Sequence, residues 1–424
     1  MSVVSYSDNY VQYVNSNGNV NYNDYNWNYG VRPFWGGRCN KVSIKLKLES
    51  RHQKNRQPFL VKQDKHKGFT FMTDFEKIVS FENLYKAYKK AKSGKRFTQS
   101  GAKFHTFALD RICQLKVQLE TKTYQISPYN QFKVYEPKER LIKACSFRDK
   151  VVQHSLCDNV LLPNLKNEFI QTNYAGQVGK GTLYGLDCLR EHMQAAYNEY
   201  GYDCWIIKAD ISKYFYSINH ALLKDIVEYF VSDKDVYWLC EKFIDSTEGI
   251  GLPLGNQVSQ VFALMYLSGL DHFITDELHV KYYGRYMDDF YLIVKDKSDA
   301  KECLEFIREF VASLKLDLNG KTQVIPFKNG LKFCGFHTYI TKSGKVIRKL
   351  KNESKRTAKK KFRKMVLLVN QGRLSMDKFN ESYNSWLNHI SHGNCYKLSA
   401  NMNTYIDSLF TTHPTHNKGI TKHQ

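Results

Sequence analysis

The sequence predicts an α+β protein, and three observations carry the prediction. Two short apolar runs bounded by polar turns, Cys204–Ala209 and Phe290–Val294, read as buried strands. Helical spacing separates and follows them at Val258–Ile274, Ala300–Leu314 and Leu374–Ile390. The chain has 424 residues, 42% of them hydrophobic and 14% aromatic, enough for the cores of two or three domains. Strands interleaved with helices predict a mixed sheet with helices on one face.

From the N-terminus, residues 1–40 stand apart. The first thirty hold eight Asn and six Tyr, with no Lys or Arg before Arg32. Asn and Gly disfavour helix and strand interiors, so this stretch is expected to be flexible. A basic linker, Lys41–Lys67, completes an extension over residues 1–68. From Phe69 the spacing becomes that of a compact domain. Phe81, Leu84 and Ala87, then Phe107, Arg111, Ile112 and Leu115, recur at helical intervals, and Tyr124–Ile142 alternates like strands around turns. Near the end, Arg348–Lys364 carries ten basic residues against one acid, Glu353. No repeat of 20–50 residues is visible.

Charge narrows the function. There are 63 Lys and Arg against 41 Asp and Glu, a formal net charge of +22, and a surplus this large calls for a polyanionic partner, of which nucleic acid fits best. Ten scattered cysteines form no C-x-x-C pair and no Cys/His spacing for zinc, so they read as reduced thiols of a cytoplasmic protein. No apolar run approaches a membrane span and no signal-peptide order begins the chain, so a soluble protein without membrane contact is expected.

The strand Cys204–Ala209 delivers Asp210, followed by Ile-Ser-Lys-Tyr-Phe. Asp288, in Tyr286-Met287-Asp288-Asp289, comes 78 residues after it, and the segment lies directly before the second strand. An Asp-Asp pair alone is usual in solvated turns. Flanked by an apolar strand and an aromatic stretch, adjacent carboxylates facing a third repel one another, and divalent cations resolve the conflict. Hard oxygen ligands suit Mg²⁺, and two ions roughly 3.5–4 Å apart can clamp both oxygens of an in-line phosphoryl displacement.

These residues resemble the palm of a reverse transcriptase, and the likeness runs in order over roughly residues 75–400. Lys138-Glu-Arg140-Leu-Ile, Phe147-Arg148-Asp-Lys-Val-Val-Gln-His154 and Gly179-Lys-Gly-Thr182 resemble fingers segments of the bacterial enzymes. Gly251-Leu-Pro-Leu254-Gly255-Asn-Gln-Val-Ser-Gln260, Leu318-Asn-Gly-Lys321-Thr and Phe333-Cys-Gly335-Phe336 resemble later palm motifs. Ser385–His389 with His392-Gly-Asn394 resembles the thumb. The resemblance implies a right-hand architecture: fingers and start of palm over 69–200, palm over 201–340, and a basic helical thumb and tail over 341–424.

It also implies roles. Asp210, Asp288 and Asp289, with the main chain of Ile211, hold two Mg²⁺, and Lys321 donates a proton to departing pyrophosphate. Lys138 and Arg140 meet the dNTP triphosphate, bulky Phe215 screens out a ribose 2′-OH, and Leu254 and Gly255 lie against the incoming nucleotide. Arg148, Tyr286, Met287, Phe333, Gly335, Lys359, Lys360 and Arg363 contact RNA template and DNA or RNA primer. His389 and His392 read as structural. Many relatives have Gln where this chain has Leu254, and Ser-Pro where it has Ser259-Gln260. The combination is similar to reverse transcriptases of diversity-generating retroelements, which copy a template-repeat RNA and misincorporate at its adenines. The Asn/Tyr-rich N-terminus resembles the variable region of that family's target proteins. A small basic accessory protein is the implied partner, and with about thirty residues after the thumb no RNase H or full endonuclease domain is expected. Two alternatives stand: an antiphage-defence or group II intron-like reverse transcriptase, and a non-catalytic RNA-binding scaffold.

Overall fold

The computed structural model describes residues 3–7, 10–14, 20–23, 72–93, 99–135 and 139–412. The chain divides into two units between Gly68 and Phe69. In the first unit three strands stand where the Asn content predicts none: β1 (Val3–Ser7), β2 (Tyr10–Val14) and β3 (Val20–Asn23) pair antiparallel in that order. Their Val and Tyr residues supply the strand preference that Asn lacks. The rest of the Asn/Tyr-rich stretch and the basic linker lie outside the described residues.

The second unit opens with helices. α1 (Asp74–Val79) starts on a capping box in which Thr73 and Glu76 each bond the other's backbone N–H. α2 (Phe81–Lys92) buries Leu84 and Ala87 of the expected stripe together with Tyr88 and Ala91, while Phe81 is exposed, and α3 (Gln99–Thr106) and α4 (Ala108–Glu120) follow. An antiparallel hairpin, β4 (Asn130–Val134) with β5 (Arg140–Ala144), precedes α5 (Phe147–Leu156), which runs through a π turn at Cys157–Leu161 to Leu165. α6 (Thr182–Tyr200) leads to the central strand β6 (Trp205–Asp210). Next come α7 (Tyr214–Ser217), α8 (His220–Phe230), α9 (Lys234–Ile244), α10 (Gln257–Tyr266) and α11 (Ser268–His272), then β7 (Tyr282–Tyr286) and β8 (Asp289–Val294). The single helix expected over Val258–Ile274 is thus broken at Leu267.

α12 (Lys297–Ser313) returns the chain to β9 (Gln323–Pro326). The sheet order is β7-β8-β6-β9, and every pairing is antiparallel rather than mixed. Helices cover it on both sides, not one. Ile206, Tyr291 and Ile293 cluster with Leu189, Met193 and Ala196 of α6, while the alternate set Ile207, Ala209, Phe290 and Leu292 is equally buried and α12 packs against β6, β8 and β9. Residues of period two that are apolar on both phases require a cover on each face, which is why the two strands read as continuous apolar runs.

β10 (Leu331–Phe333), β11 (Phe336–Ile340) and β12 (Val346–Leu350) form a second antiparallel sheet. Three helices end the described chain: α13 (Asn352–Asn370), α14 (Met376–Ser391, capped by Ser375) and α15 (Tyr396–Thr412). They enclose a core of their own around Ala358, Phe362, Val366, Phe379, Met402 and Ile406. Arg348, the first residue of the basic run, is buried on β12 and donates to the carbonyls of Leu186 and His392, so it is structural and the helical cations begin beyond it. Among the described residues no helix is long and apolar enough to cross a membrane.

Candidate active site

Strand register brings the acidic residues to one end of the central sheet. Asp210, the last residue of β6, lies opposite Asp289, the first of β8, and Tyr286 pairs with Asp289 across a two-residue turn, Met287-Asp288. Met287 has a φ of +57°, a left-handed conformation that costs a non-glycine residue roughly 1–2 kcal/mol. Main-chain bonds fix the surroundings: Ile211 N–H donates to the Asp288 carbonyl (3.3 Å), Asn319 N–H to that of Asp210 (2.7 Å) and Ser212 N–H to that of Asp317 (2.8 Å).

Burial, and then the neighbouring Asp210 charge, pushes the Asp288 carboxyl up from 3.8 to about 6. Asp289 is raised by burial too, against the pull of Lys208, whose Nζ lies 3.4 Å from Oδ1 and also donates to the Lys332 carbonyl. Asp289 Oδ1 is buried and accepts no hydrogen bond. Among the described residues no three Asp, Glu, His or Cys side chains form a closed ligand cage; Asp289 is drawn to Lys208 while Asp288 turns to Asp210. The donor set nevertheless fits a hard divalent cation. Mutually repelling carboxylates, one with an orphaned oxygen, and the Ile211 carbonyl are the oxygens Mg²⁺ takes.

The raised Asp288 value has a measurable consequence. Its folded-state pKa exceeds the unfolded one, so the fold is favoured by protonation and loses stability as pH rises from about 4 through about 6. Asp288→Asn should therefore be more stable than the parent at pH 7–8 by roughly 1–3 kcal/mol, the gain vanishing below about pH 4. Thermal unfolding without divalent ions, over that pH range, checks it.

Beside the acids, α7 and the loop 251–256 form a floor. Leu252 N–H donates to the Phe215 carbonyl (2.7 Å) and Gly251 N–H to that of Ile218 (2.8 Å). Phe215 is half-buried, its ring edge-on to Tyr214. The β4–β5 hairpin docks on the same loop: Lys143 N–H donates to the Leu254 carbonyl, Asn256 Oδ1 accepts from Cys145 N–H and Asn256 Nδ2 donates to the Lys143 carbonyl. Gly255, at φ +104°, lies where a Cβ would come within 3.0 Å of Ile142 Cγ2. Leu254 is half-buried and Arg140 is exposed at the hairpin's return; Lys138 lies outside the described residues.

The other expected contacts divide. Tyr286 and Met287 are half-buried at the turn, and Lys321 is exposed on the loop that holds Asp210. Gly335 (φ +87°) and Cys334 (φ +41°) make the tight turn between β10 and β11, and burial and then Asp289 raise the Cys334 thiol to about 12, which puts this turn beside the acids. Lys359, Lys360 and Arg363 are exposed on α13. Two expectations fail. Phe333 is fully buried with its ring against Tyr174 and Tyr291, a core residue rather than a strand contact. Arg148 is spent inside the fingers, donating to the Gln125 carbonyl and Gln118 Oε1 and stacking over Tyr124. Sequence reasoning missed Lys208, Asn256 and Arg285. For Lys208 a signal existed, because it lies two residues before Asp210 and shares its face of the strand.

This arrangement belongs to a polymerase palm, and the sequence comparison agrees. Residues 133–338 match the family described as reverse transcriptase (RNA-dependent DNA polymerase), and that segment is a reverse transcriptase domain. Among its relatives are the putative COX1/OXI3 intron 2 protein of Saccharomyces cerevisiae (26% identical over 238 residues, 51% of this chain and 26% of that protein) and protein YkfC of Escherichia coli (24% over 312 residues, 58% of this chain and 79% of that protein). A third is an uncharacterized 91 kDa protein in a cob intron of Schizosaccharomyces pombe, 25% identical over 252 residues, 56% of this chain and 29% of that protein. The chain spans about a quarter of the length of the two yeast proteins. A structure of telomerase from Candida albicans with a fragment of telomeric RNA aligns over 69% of this chain and 56% of its own, at 13% identity and a TM-score of 0.43.

Proposed function

We propose that this chain copies RNA into DNA by phosphoryl transfer at Asp210, Asp288 and Asp289. The observation that carries the reading is the pairing of Asp210 with Asp289 beside the Met287-Asp288 turn, within a reverse transcriptase domain. Asp210, Asp288, Asp289 and the Ile211 carbonyl would hold two Mg²⁺. Bound there, the ions supply Lewis-acid stabilisation of the attacking and leaving oxygens. Arg140 and Lys138 serve the triphosphate, Phe215 the sugar, and Lys321 the proton on departing pyrophosphate. The exposed cations of α13 hold template and primer phosphates, which predicts binding that weakens steeply with salt.

Within that activity we assign the chain to copying of a template-repeat RNA, error-prone at adenines, with a small basic accessory protein as partner. Leu254 and the Asn/Tyr-rich N-terminus support this assignment. An aliphatic side chain at a nucleotide contact forfeits the hydrogen bonds that an amide withdraws from a misplaced nucleotide. Leu254→Gln should therefore lower misincorporation opposite template adenine by several-fold, on the order of 1 kcal/mol of discrimination. Sequencing cDNA with errors tallied by template base checks it, and an unchanged spectrum overturns it. A group II intron-like enzyme is the second reading, favoured by relatives described as intron proteins; uniform errors across the four template bases would select it.

A further inference from the structure

Behind the catalytic turn lies a charged residue that the polymerase reading leaves unused. Arg285 is the penultimate residue of β7 and is one of the largest fully buried side chains among the described residues. Each of its three guanidinium nitrogens donates a hydrogen bond. Nε donates to Asp271 Oδ1 (2.6 Å) and Nη2 to Asp271 Oδ2 (2.5 Å), a bidentate pair with a carboxylate on α11 that is itself buried. Tyr283 Oη donates to the same Oδ1 (2.6 Å). The remaining arm, Nη1, reaches forward and donates to the carbonyl of Met287 (2.8 Å). The backbone of Arg285 is also held, its N–H donating to the Thr172 carbonyl and its carbonyl accepting from Tyr174 N–H, both at 2.9 Å.

The Met287 carbonyl belongs to the peptide that joins Met287 to Asp288. Fixing that oxygen fixes the plane from which the Asp288 side chain departs, and it does so at the one residue of the turn with a left-handed φ. A buried ion pair is a poor way to stabilise a fold, since apolar residues of like volume serve as well or better. Its geometry here serves another end: a fork with two prongs anchored in α11 aims the third at the turn.

We infer that Arg285 is a positioning residue for the reaction, holding the Met287–Asp288 peptide in the orientation from which Asp288 acts, with Asp271 and Tyr283 orienting the guanidinium. The inference rests on the polymerase reading for its consequence and on the hydrogen bonds alone for its mechanism, so the two can fail separately. Arg is required because lysine is a point charge that can satisfy Asp271 or the carbonyl but cannot span both.

Arg285→Lys tests it, because it keeps a cation beside buried Asp271 and so preserves the fold where a neutral residue would not. Single-nucleotide incorporation on an RNA template should lose about 10²-fold in kcat, with the dNTP KM changed by less than about threefold. Amide hydrogen exchange, which needs no turnover, should rise by about tenfold or more in the peptide spanning Tyr286–Asp289 and stay unchanged in β6 and α6. A kcat within about threefold of the parent, or exchange at the turn no faster than in the parent, overturns the inference. So does faster exchange throughout the sheet, since that marks Arg285 as a general stabiliser. A parent protein that incorporates no nucleotide overturns the polymerase reading instead, and the exchange measurement then decides the positioning claim.

Discussion

Asp288→Ala should reduce nucleotide incorporation by about 10³-fold or more, equivalent to roughly 4 kcal/mol of transition-state stabilisation, while leaving RNA binding intact. The two effects separate because the residues involved are separate. Alanine keeps the turn, whose geometry is set by strand pairing and by the Ile211 N–H on the main-chain carbonyl of residue 288. It removes the carboxyl that faces Asp210, one of the oxygen donors proposed to hold a divalent ion. On the proposed reading RNA affinity rests on exposed cations of α13, a helix that packs with α14 and α15 around a core of their own. A single-dNTP extension assay beside a filter-binding measurement distinguishes an enzyme from a scaffold. Equal extension by parent and variant would refute the assignment of Asp288, and binding without extension by the parent would establish the scaffold.

The second large effect is expected at Phe215. Its carbonyl is fastened to Leu252 and its flank rests on Tyr214, so the ring is held in place. If it stands against the sugar of the incoming nucleotide, Phe215→Val opens space for a 2′-hydroxyl. Discrimination against ribonucleotides should then fall by on the order of 10²-fold, the scale on which a pocket separates substrates differing by one small group. The ratio of kcat/KM for dNTP and rNTP measures it directly, and a ratio unmoved by the substitution would return Phe215 to the role of an ordinary packed aromatic. Incorporation of dNTP itself should change little, because the backbone bonds of residue 215 survive the change.

Much of this site was legible in the sequence because it depends on local rules. Apolar runs of strand length ending in Asp210 and beginning after Asp289 place carboxylates at strand ends, and period two then puts them on one side. What escaped was non-local. The mixed sheet expected from alternating strands and helices has only antiparallel neighbours because β6 inserts between β8 and β9, which run the same way and are joined by α12, a placement that no spacing encodes. Phe333 sits in a motif with Gly335, yet only the turn reaches the acids; the ring points into the core with Tyr291. Arg148 looked available as a basic residue near the fingers, whereas its partners Gln118 and Gln125 lie some distance back along the chain. Arg285 could not be read at all, since its partner Asp271 acquires meaning only once α11 lies against β7.

Two hydrogen bonds of the Asn256 side-chain amide fasten the β4–β5 hairpin to the 251–256 loop, against which the proposed reading sets the incoming nucleotide. A hairpin fastened in this way moves with the loop on which it is seated. On the proposed reading, admission of a monomer and remodelling of the surface it lands on would be one mechanical event, coupling the tempo of synthesis to the stringency of monomer choice.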